Sequence, residues 1–554
     1  MPIDKRDLAT IITLSLAFFL MAAWSLGLAD APLTTWQASG GKSFYIDLGN
    51  FERVDAVYIL IKSGYANLQV YSGYPGNWSE NGVASMYDYY RWYKIDTNCE
   101  TQFIKFVFQH SSGEIVEIAV LGEEKQKITI NSISGENYDD STLSRLIDEQ
   151  EKAEVPPTYM SETYFDEIYY VRTAENYINL EEPYEWTHPP LGKLILVAGI
   201  LAFGYSPFGW RIIGVIFATL MIPVIYFFGK KMFGTWIGAF VPAFLLMFDF
   251  MHFTMGRIAT VDTFVVFFSL ISQLFFFIYF QNVLRNGWKT SVVPLFLAVL
   301  FFSLGFSTKW FVLYGFAGQL FLLLVVRFRD LFTFKGGLVA KIRTFFCHPF
   351  FMVLGFIGIA AIVYLLTFVP NMMIGDTLKE VYETQWSMYF YHSTLTADHP
   401  YASQWWSWPI ILRPVWLYVS DLPGGLVSTI AAMGNPAVWW VGFSSMLSAI
   451  WKAVKEKNHT CSFIAVIFLF QWLPYILIQR CTFLYHFYVN VPLLCLATAY
   501  FLNESWRGRW GKTTGLAYLL GVVALFALFY PVTSGYPMPY WWREDLRWFK
   551  SWGF

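Results

Sequence analysis

Eleven strongly apolar segments recur along this chain, most of them about 17 to 23 residues long, the length that crosses a bilayer as a helix. They read at about 9–28, 209–229, 234–253, 260–281, 291–307, 310–326, 349–370, 432–451, 461–479, 482–502 and 514–531. Such a chain is restricted to folds that satisfy their backbone polar groups inside lipid, and among these to helices. Only 14% of the residues are charged, against about 25% in an average soluble chain, and 56% are hydrophobic. The formal net charge of −2 provides no basic field for nucleic acid. Five cysteines (Cys99, Cys347, Cys461, Cys481 and Cys495) are scattered, with neither a disulfide framework nor a CxxC metal spacing.

Basic residues set the expected orientation. A further apolar stretch, 191–205, is short. If it lies on the outer surface, the cytoplasmic ends collect Lys5, Arg6, Lys230, Lys231, Arg285, Lys289, Arg327, Arg329, Lys335, Lys341, Arg343, Lys452, Lys455, Lys457, Arg507, Arg509 and Lys512. If it crosses, all of these but Lys5 and Arg6 move outside. The charge pattern therefore predicts eleven spans, the N-terminus inside, the C-terminus outside, and an interfacial helix at 191–205. The first segment reads as a retained signal-anchor, with a cleaved leader ending near Ala29 as the alternative. The expected organisation is a first span (1–30), a soluble insert (31–130), a linker and outer loop with interfacial helices (131–207), six spans (208–370), a second outer loop (371–431), four spans (432–531) and an outer tail (532–554).

Short alternating runs fill the insert: 43–48, 56–61, 67–71, 103–108 and 114–120, separated by turn residues such as Ser63-Gly64 and Pro75-Gly76-Asn77. This pattern predicts an all-β sandwich, whose strand order resembles the galactose-binding-like jelly roll. Two readings stay open for it: a contact or spacer module, or a sugar-binding module that uses exposed Trp78, Tyr89 or Trp92.

The chemistry-bearing residues gather in the two outer loops and at the outer span ends. Asp166-Glu167 opens a helical pattern, where a carboxylate pair can cap the helix, bind a cation or act as a general base. His188-Pro189-Pro190-Leu191-Gly192-Lys193 follows. Its prolines end one helix and start the next, fixing His188 at the head of the interfacial segment. Asp262 lies slightly inside an apolar span with Arg257 just before it, either as a structural pair or as part of a site. Lys309 and Arg480 add cations at the same depth, where they either snorkel to the interface or bind phosphate. The 371–431 loop contributes His392, Ser403, Trp405, Trp406, Trp408 and Arg413, and Tyr485-His486 follows Arg480. The tryptophans form an interfacial belt or stack on a sugar ring or prenyl chain.

Taken together these motifs resemble the protein O-mannosyltransferases, membrane glycosyltransferases of the GT-C fold. The resemblance covers about 160–310 and 371–490. It rests on Phe165-Asp166-Glu167, the His188–Lys193 run, Gly209-Trp210-Arg211, Gly256-Arg257 with Asp262, Ser307-Thr308-Lys309-Trp310, the stretch from His399 to Arg413, and Arg480 with Phe483-Leu484-Tyr485-His486. The 371–431 loop is too short for the β-trefoil of eukaryotic members, and a sandwich stands after the first span instead, which points to a prokaryotic member.

The resemblance implies a polyprenyl- or dolichyl-phosphate-linked mannose donor, Ser or Thr hydroxyls of exported proteins as acceptors, and a multi-pass protein of the cell membrane with its site on the outer face. It implies Asp166 as general base in an inverting transfer, with Glu167 orienting the acceptor or holding neighbouring cations. Arg211, Arg257, Lys309, Arg413 and Arg480 become candidates for the leaving phosphate, and His188, His392, Ser403, Trp405, Trp406, Tyr485 and His486 for substrate contact. Phosphate is already a good leaving group, so the chemistry demands no metal and leaves a divalent cation open. A related transferase acting on a lipid acceptor or with another sugar is the nearest rival. An oligosaccharyltransferase would carry a WWDYG signature, which Trp541-Trp542-Arg543-Glu544-Asp545 does not supply. A secondary transporter would show internal repeats and midplane charges, and a binding protein anchored by one span would need far fewer apolar segments.

Overall fold

The computed structural model describes residues 3–123, 126–136, 140–346 and 350–554. Cys347, among the scattered cysteines, lies outside the described residues.

Among the described residues eighteen α-helices, the last the short Tyr540–Asp545, carry about half of the chain. In order they are α1 (Lys5–Ala23), α2 (Glu167–Asn179), α3 (Leu191–Phe203), α4 (Pro207–Phe233), α5 (Trp236–Met247), α6 (Phe250–Gly256), α7 (Asp262–Asn286), α8 (Val293–Phe306) and α9 (Val312–Thr333). There follow α10 (Leu338–Phe346), α11 (Phe350–Leu366), α12 (Val369–Ile374), α13 (Leu378–Thr394), α14 (Pro436–Lys455), α15 (His459–Trp472), α16 (Val491–Ser505) and α17 (Arg509–Ser534). Among the described residues, eight helical segments are long and apolar enough to cross a membrane, and the α5–α6 pair, bent by 59°, passes the same test as a ninth. The shorter apolar helices are α3, α8 and Met352–Leu366 within α11. Of these, α8 and α11 stand where the charge reading expects spans, and α3 where it expects an interfacial helix.

Local chemistry sets the helix ends. Ser206 caps α4 by accepting from Gly209 N–H, Pro207 occupies the first turn, and Gly234 closes the helix in the left-handed region. The bend between α5 and α6 occurs at Asp249, whose carboxylate caps α6 at His252 N–H (3.1 Å) and accepts from Trp439 Nε1 (2.8 Å). A bent helix in lipid frees backbone donors, and a buried side-chain acceptor satisfies them.

The insert is a two-layer β structure. Strands β1 (Trp36–Gln37), β2 (Ser43–Tyr74), β3 (Asn77–Met86), β4 (Arg91–Phe108), β5 (Ser112–Gly122), β6 (Lys127–Ile128) and β7 (Ser132–Gly135) are all antiparallel. The long β2 breaks register near Asp47–Glu52 and again between Ile61 and Leu68, so one strand supplies runs to both layers. One layer orders β7, residues 43–47, residues 103–108, residues 66–74 and β3; the other pairs β5, residues 54–61 and residues 91–99. Phe44, Ile46, Val57, Ile59, Leu68, Val70, Ile104 and Phe106 fill the core between them.

The second layer is buried on both faces. Val57, Ile59 and Ile61 point into the sandwich core, while Ala56, Tyr58, Leu60, Val116 and Ala119 dock on Tyr170, Val171 and Ala174 of α2 and Leu196 and Ile200 of α3. This explains the uninterrupted apolar run 56–61, since a strand covered on both faces has no polar phase. It also corrects the expectation of a free sugar-binding face there, because Tyr89 and Trp92 belong to this buried contact.

The 371–431 segment is more structured than a loop. It holds α12, α13 and the hairpin β8 (Val415–Leu422) and β9 (Leu426–Ala432), which turns at Gly424 and Gly425 with positive φ. The chain's last residues return to it: β10 (Met538–Pro539) pairs with β9, and buried Trp552 donates from Nε1 to Ile411 O at 2.7 Å.

Candidate active site

Asp166 and Glu167 are neighbours with opposite surroundings. Glu167 is fully buried and bound on both oxygens. Arg211 Nε and an Arg211 terminal nitrogen donate to it at 2.8 and 2.7 Å, Ala259 N–H donates at 2.9 Å, and Tyr164 N–H at 3.2 Å. The remaining Arg211 donors go to the carbonyls of Leu26, Tyr159 and Glu162 (3.1, 2.7 and 2.7 Å). No N–H of this guanidinium is left for a ligand.

Asp166 occupies the cap position of α2, yet its side chain makes no capping hydrogen bond. It is half-buried, and it has no ion-pair partner among the described residues. Burial pushes its carboxyl up to about 7; Lys309 opposes that rise, and Asp262 and Glu185 add to it. The preceding Phe165 holds a left-handed φ of 51°. Strain of that kind persists where the surroundings over-determine the backbone.

A cavity of about 540 Å³ opens beside this acid. Its lining includes the polar side chains of His188, Lys309, His392, Arg480 and His486 and the largely apolar ones of Leu313, Tyr314, Leu477 and Ile478. Lys309 bonds Asp262 at 2.9 Å, so the expected Arg257–Asp262 pair is replaced by a Lys309–Asp262 pair. Arg480 makes no ion pair among the described residues. His188 Nδ1 meets Glu185 at 2.9 Å, and Lys193 bonds the same carboxylate (2.8 Å) and the carbonyls of Glu185 and His188 (2.8 and 2.6 Å). Despite its burial, Glu185 is held well below the usual carboxylate range by Lys193 and His188. His392 Nε2 bonds Thr187 O at 2.8 Å, and the two imidazoles lie 5.0 Å apart. Burial lowers both histidines, His392 to about 4, so both are neutral near pH 7. Gly192 permits this assembly, because a Cβ there would come within 2.5 Å of Val261, next to Asp262.

Asp166 is not itself a lining residue, but it lies close enough for Lys309 of the wall to act on its charge. Phe165 meets Tyr485 at 6.1 Å, and Tyr485 stacks on the wall residue His486 at 4.8 Å. The structure therefore gathers Asp166, His188, Lys309, His392, Arg480, Tyr485 and His486. It does not bring the other candidates to the cavity. Arg257 donates to the carbonyls of Ala22, Trp24, Ser25 and Ser534 (2.6, 2.7, 2.8 and 3.3 Å) and, like Arg211, is spent on the backbone. Arg413 is exposed and, among the described residues, hydrogen-bonds only to Ala402 O. Ser403 ties the loop to Thr482 through its backbone N–H (2.8 Å) and accepts from Trp408 Nε1 (3.0 Å). Trp405 packs on Trp472 at 5.3 Å, and Trp406 is 54% exposed, as a belt residue is. Glu185 was not singled out from the sequence. Its one signal there is a carboxylate placed three residues before a histidine.

The fold, with its bundle of apolar helices and its acid beside a cation-lined cavity, is that of a GT-C membrane glycosyltransferase. Two family models match, "Dolichyl-phosphate-mannose-protein mannosyltransferase" over residues 158–374 and "C-terminal four TMM region of protein-O-mannosyltransferase" over residues 377–552. The chain belongs to the protein O-mannosyltransferase family. It is similar to the polyprenol-phosphate-mannose–protein mannosyltransferase of Mycolicibacterium smegmatis, at 24% identity over 66% of this chain and 81% of that protein. The corresponding protein of Corynebacterium glutamicum is 26% identical over the same shares. In fold the chain is similar to a structure of the Saccharomyces cerevisiae Pmt1–Pmt2 complex bound to the sugar donor, with a TM-score of 0.60, 12% identity, and coverage of 71% of this chain and 89% of that one.

Proposed function

We propose that this protein transfers mannose from a polyprenyl-phosphate donor to Ser or Thr hydroxyls of exported proteins, at the outer face of the cell membrane. The observation that carries the mechanism is the contrast at the acidic pair. Glu167 is locked by Arg211, which leaves Asp166 as the carboxylate free to take a proton. Asp166 accepts the hydroxyl proton as the oxygen forms a bond to the sugar C1. The bond from C1 to the phosphate oxygen breaks, and its electron pair leaves with the polyprenyl phosphate. One free carboxylate suits a single displacement, with inversion at C1, because a double displacement needs a second one as nucleophile.

Lys309 and Arg480 stand where the phosphate charge grows, and the neutral imidazoles of His188 and His392 add polar contact. The apolar lining residues Leu313, Leu477 and Ile478 suit contact with the first prenyl units. Arg211 is spent on Glu167 and backbone carbonyls, and Arg257 on carbonyls, so neither serves the phosphate. The bacterial relatives and the charge pattern support this donor and this orientation.

The test is transfer of radiolabelled mannose from its polyprenyl phosphate to a Ser/Thr-rich peptide by purified protein. Labelled peptide with wild type and none with Asp166→Asn is the expected result. A folded wild type that labels only lipid moves the acceptor to the lipid class, and equal labelling by both proteins removes Asp166 from its role.

A further inference from the structure

We propose that the β-sandwich is a positioning element for the transfer reaction, holding Asp166 through two polar clamps; this rests on the reading of Asp166 as the base. The first clamp grips the extended segment that leads into the acid. Thr163 N–H donates to Tyr90 O at 3.0 Å, Thr163 Oγ1 donates to Tyr89 O at 2.5 Å, and Trp92 N–H donates to the Glu162 carboxylate at 3.0 Å. Residues 162–163 thus lie against sandwich residues 89–92, three to four positions before Asp166. Phe165, in its left-handed conformation, then turns the chain into α2.

The second clamp grips α2 itself. Glu175 lies roughly two and a half turns beyond Asp166. Its carboxylate bonds Lys62 of β2 at 2.7 Å and accepts from the Tyr89 hydroxyl, which also meets the hydroxyl of Tyr205 just before α4. The apolar contact of Ala56, Tyr58 and Leu60 with Tyr170, Val171 and Ala174 lies beside this node. A spacer needs no polar contact with the helix that carries the acid. Lys62, Tyr89 and Glu175 do not line the cavity, so they act on the reaction through Asp166 and not through substrate.

The experiment uses the full chain in lipid nanodiscs with four substitutions, Tyr89→Phe, Glu175→Ala, Glu175→Gln and Lys62→Met. It measures kcat, the KM for donor and for acceptor peptide, and the melting temperature. A small displacement of a catalytic group is costly, so Glu175→Ala should lower kcat about tenfold with the donor KM unchanged, and Tyr89→Phe about threefold. Lys62→Met should fall between them. Glu175→Gln, which keeps an acceptor for the Tyr89 hydroxyl, should recover most of the loss.

Unchanged kcat in both Tyr89→Phe and Glu175→Ala overturns the proposal, as does a rise in KM with kcat intact. If Glu175→Ala does not fold, Tyr89→Phe decides, since it removes a single oxygen. Asp166→Asn runs in parallel. Wild-type turnover there removes the base, and the clamp with it, whereas a dead Asp166→Asn beside fully active clamp variants removes the clamp alone.

Discussion

Two polar regions less than one helical turn apart along the chain follow opposite rules. Around Glu167 every donor and acceptor is matched: the carboxylate has four donors, and Arg211 spends its guanidinium on it and on three carbonyls. Around the cavity the matching is incomplete. Among the described residues the Asp166 side chain makes no capping bond and no ion pair, Arg480 makes no ion pair, and His392 Nδ1 is buried without a hydrogen-bond partner. A saturated network fixes geometry, while an unsaturated one keeps its capacity for a substrate. The sequence places both regions in one motif, and saturation separates scaffold from chemistry.

The sharpest way to break the comparison is to act on each half and ask what is lost. Asp166→Asn should cost about 10²–10⁴-fold in kcat with an unchanged melting temperature, since this side chain makes no hydrogen bond or ion pair among the described residues. A large loss of stability would place Asp166 in the scaffold. Arg211→Met should do the converse. It strands a buried carboxylate and three carbonyls, at about 3–5 kcal/mol, seen as lost folded yield or a collapsed melting temperature. Pairing it with Glu167→Leu should return part of that stability; strictly additive losses would argue against the two acting as a unit.

A third substitution sharpens the electrostatics. The base works deprotonated, so kcat/KM should rise with pH through the Asp166 value near 7. Lys309 holds that value down, and Lys309→Met should move the acid limb to higher pH as well as weaken phosphate leaving. A limb that stays in place would detach Lys309 from Asp166. The smallest effect is expected at the residues outside the cavity. Arg413→Gln and Trp406→Ala should each stay within about twofold of wild-type turnover, as exposed substitutions generally do.

Much of this was legible in the sequence for physical reasons. Apolar runs of bilayer length admit few structures, and Asp166, His188, Lys309 and Arg480 are costly residues at span ends that mark a common depth. The β pattern of the insert was visible because turns punctuate it. Its docking was not. The run 56–61 alternates in no polar sense, and two-sided burial by α2 and α3 is a tertiary fact. Glu185 resembles any loop acid until Lys193 and His188 close on it. Arg211, Arg257 and Lys309 carry the same charge in the sequence, and only their partners divide them: Arg211 on Glu167 and carbonyls, Arg257 on carbonyls, and Lys309 at the cavity. The elements of 371–431 escaped notice because their mixed aromatic composition obscures both the helical period of α13 and the Gly424-Gly425 hairpin.

The Arg257 guanidinium has a consequence for how the protein is made. It joins the carbonyls of Ala22, Trp24 and Ser25 to that of Ser534, so the first and last long helices meet on one side chain. Contacts of such sequence separation form late, after the intervening chain has been threaded into the membrane. Arg257 therefore waits through most of co-translational insertion with part of its carbonyl cage missing. A nascent chain halted before Ser534 carries an incompletely satisfied buried cation, the kind of defect that membrane quality control can read.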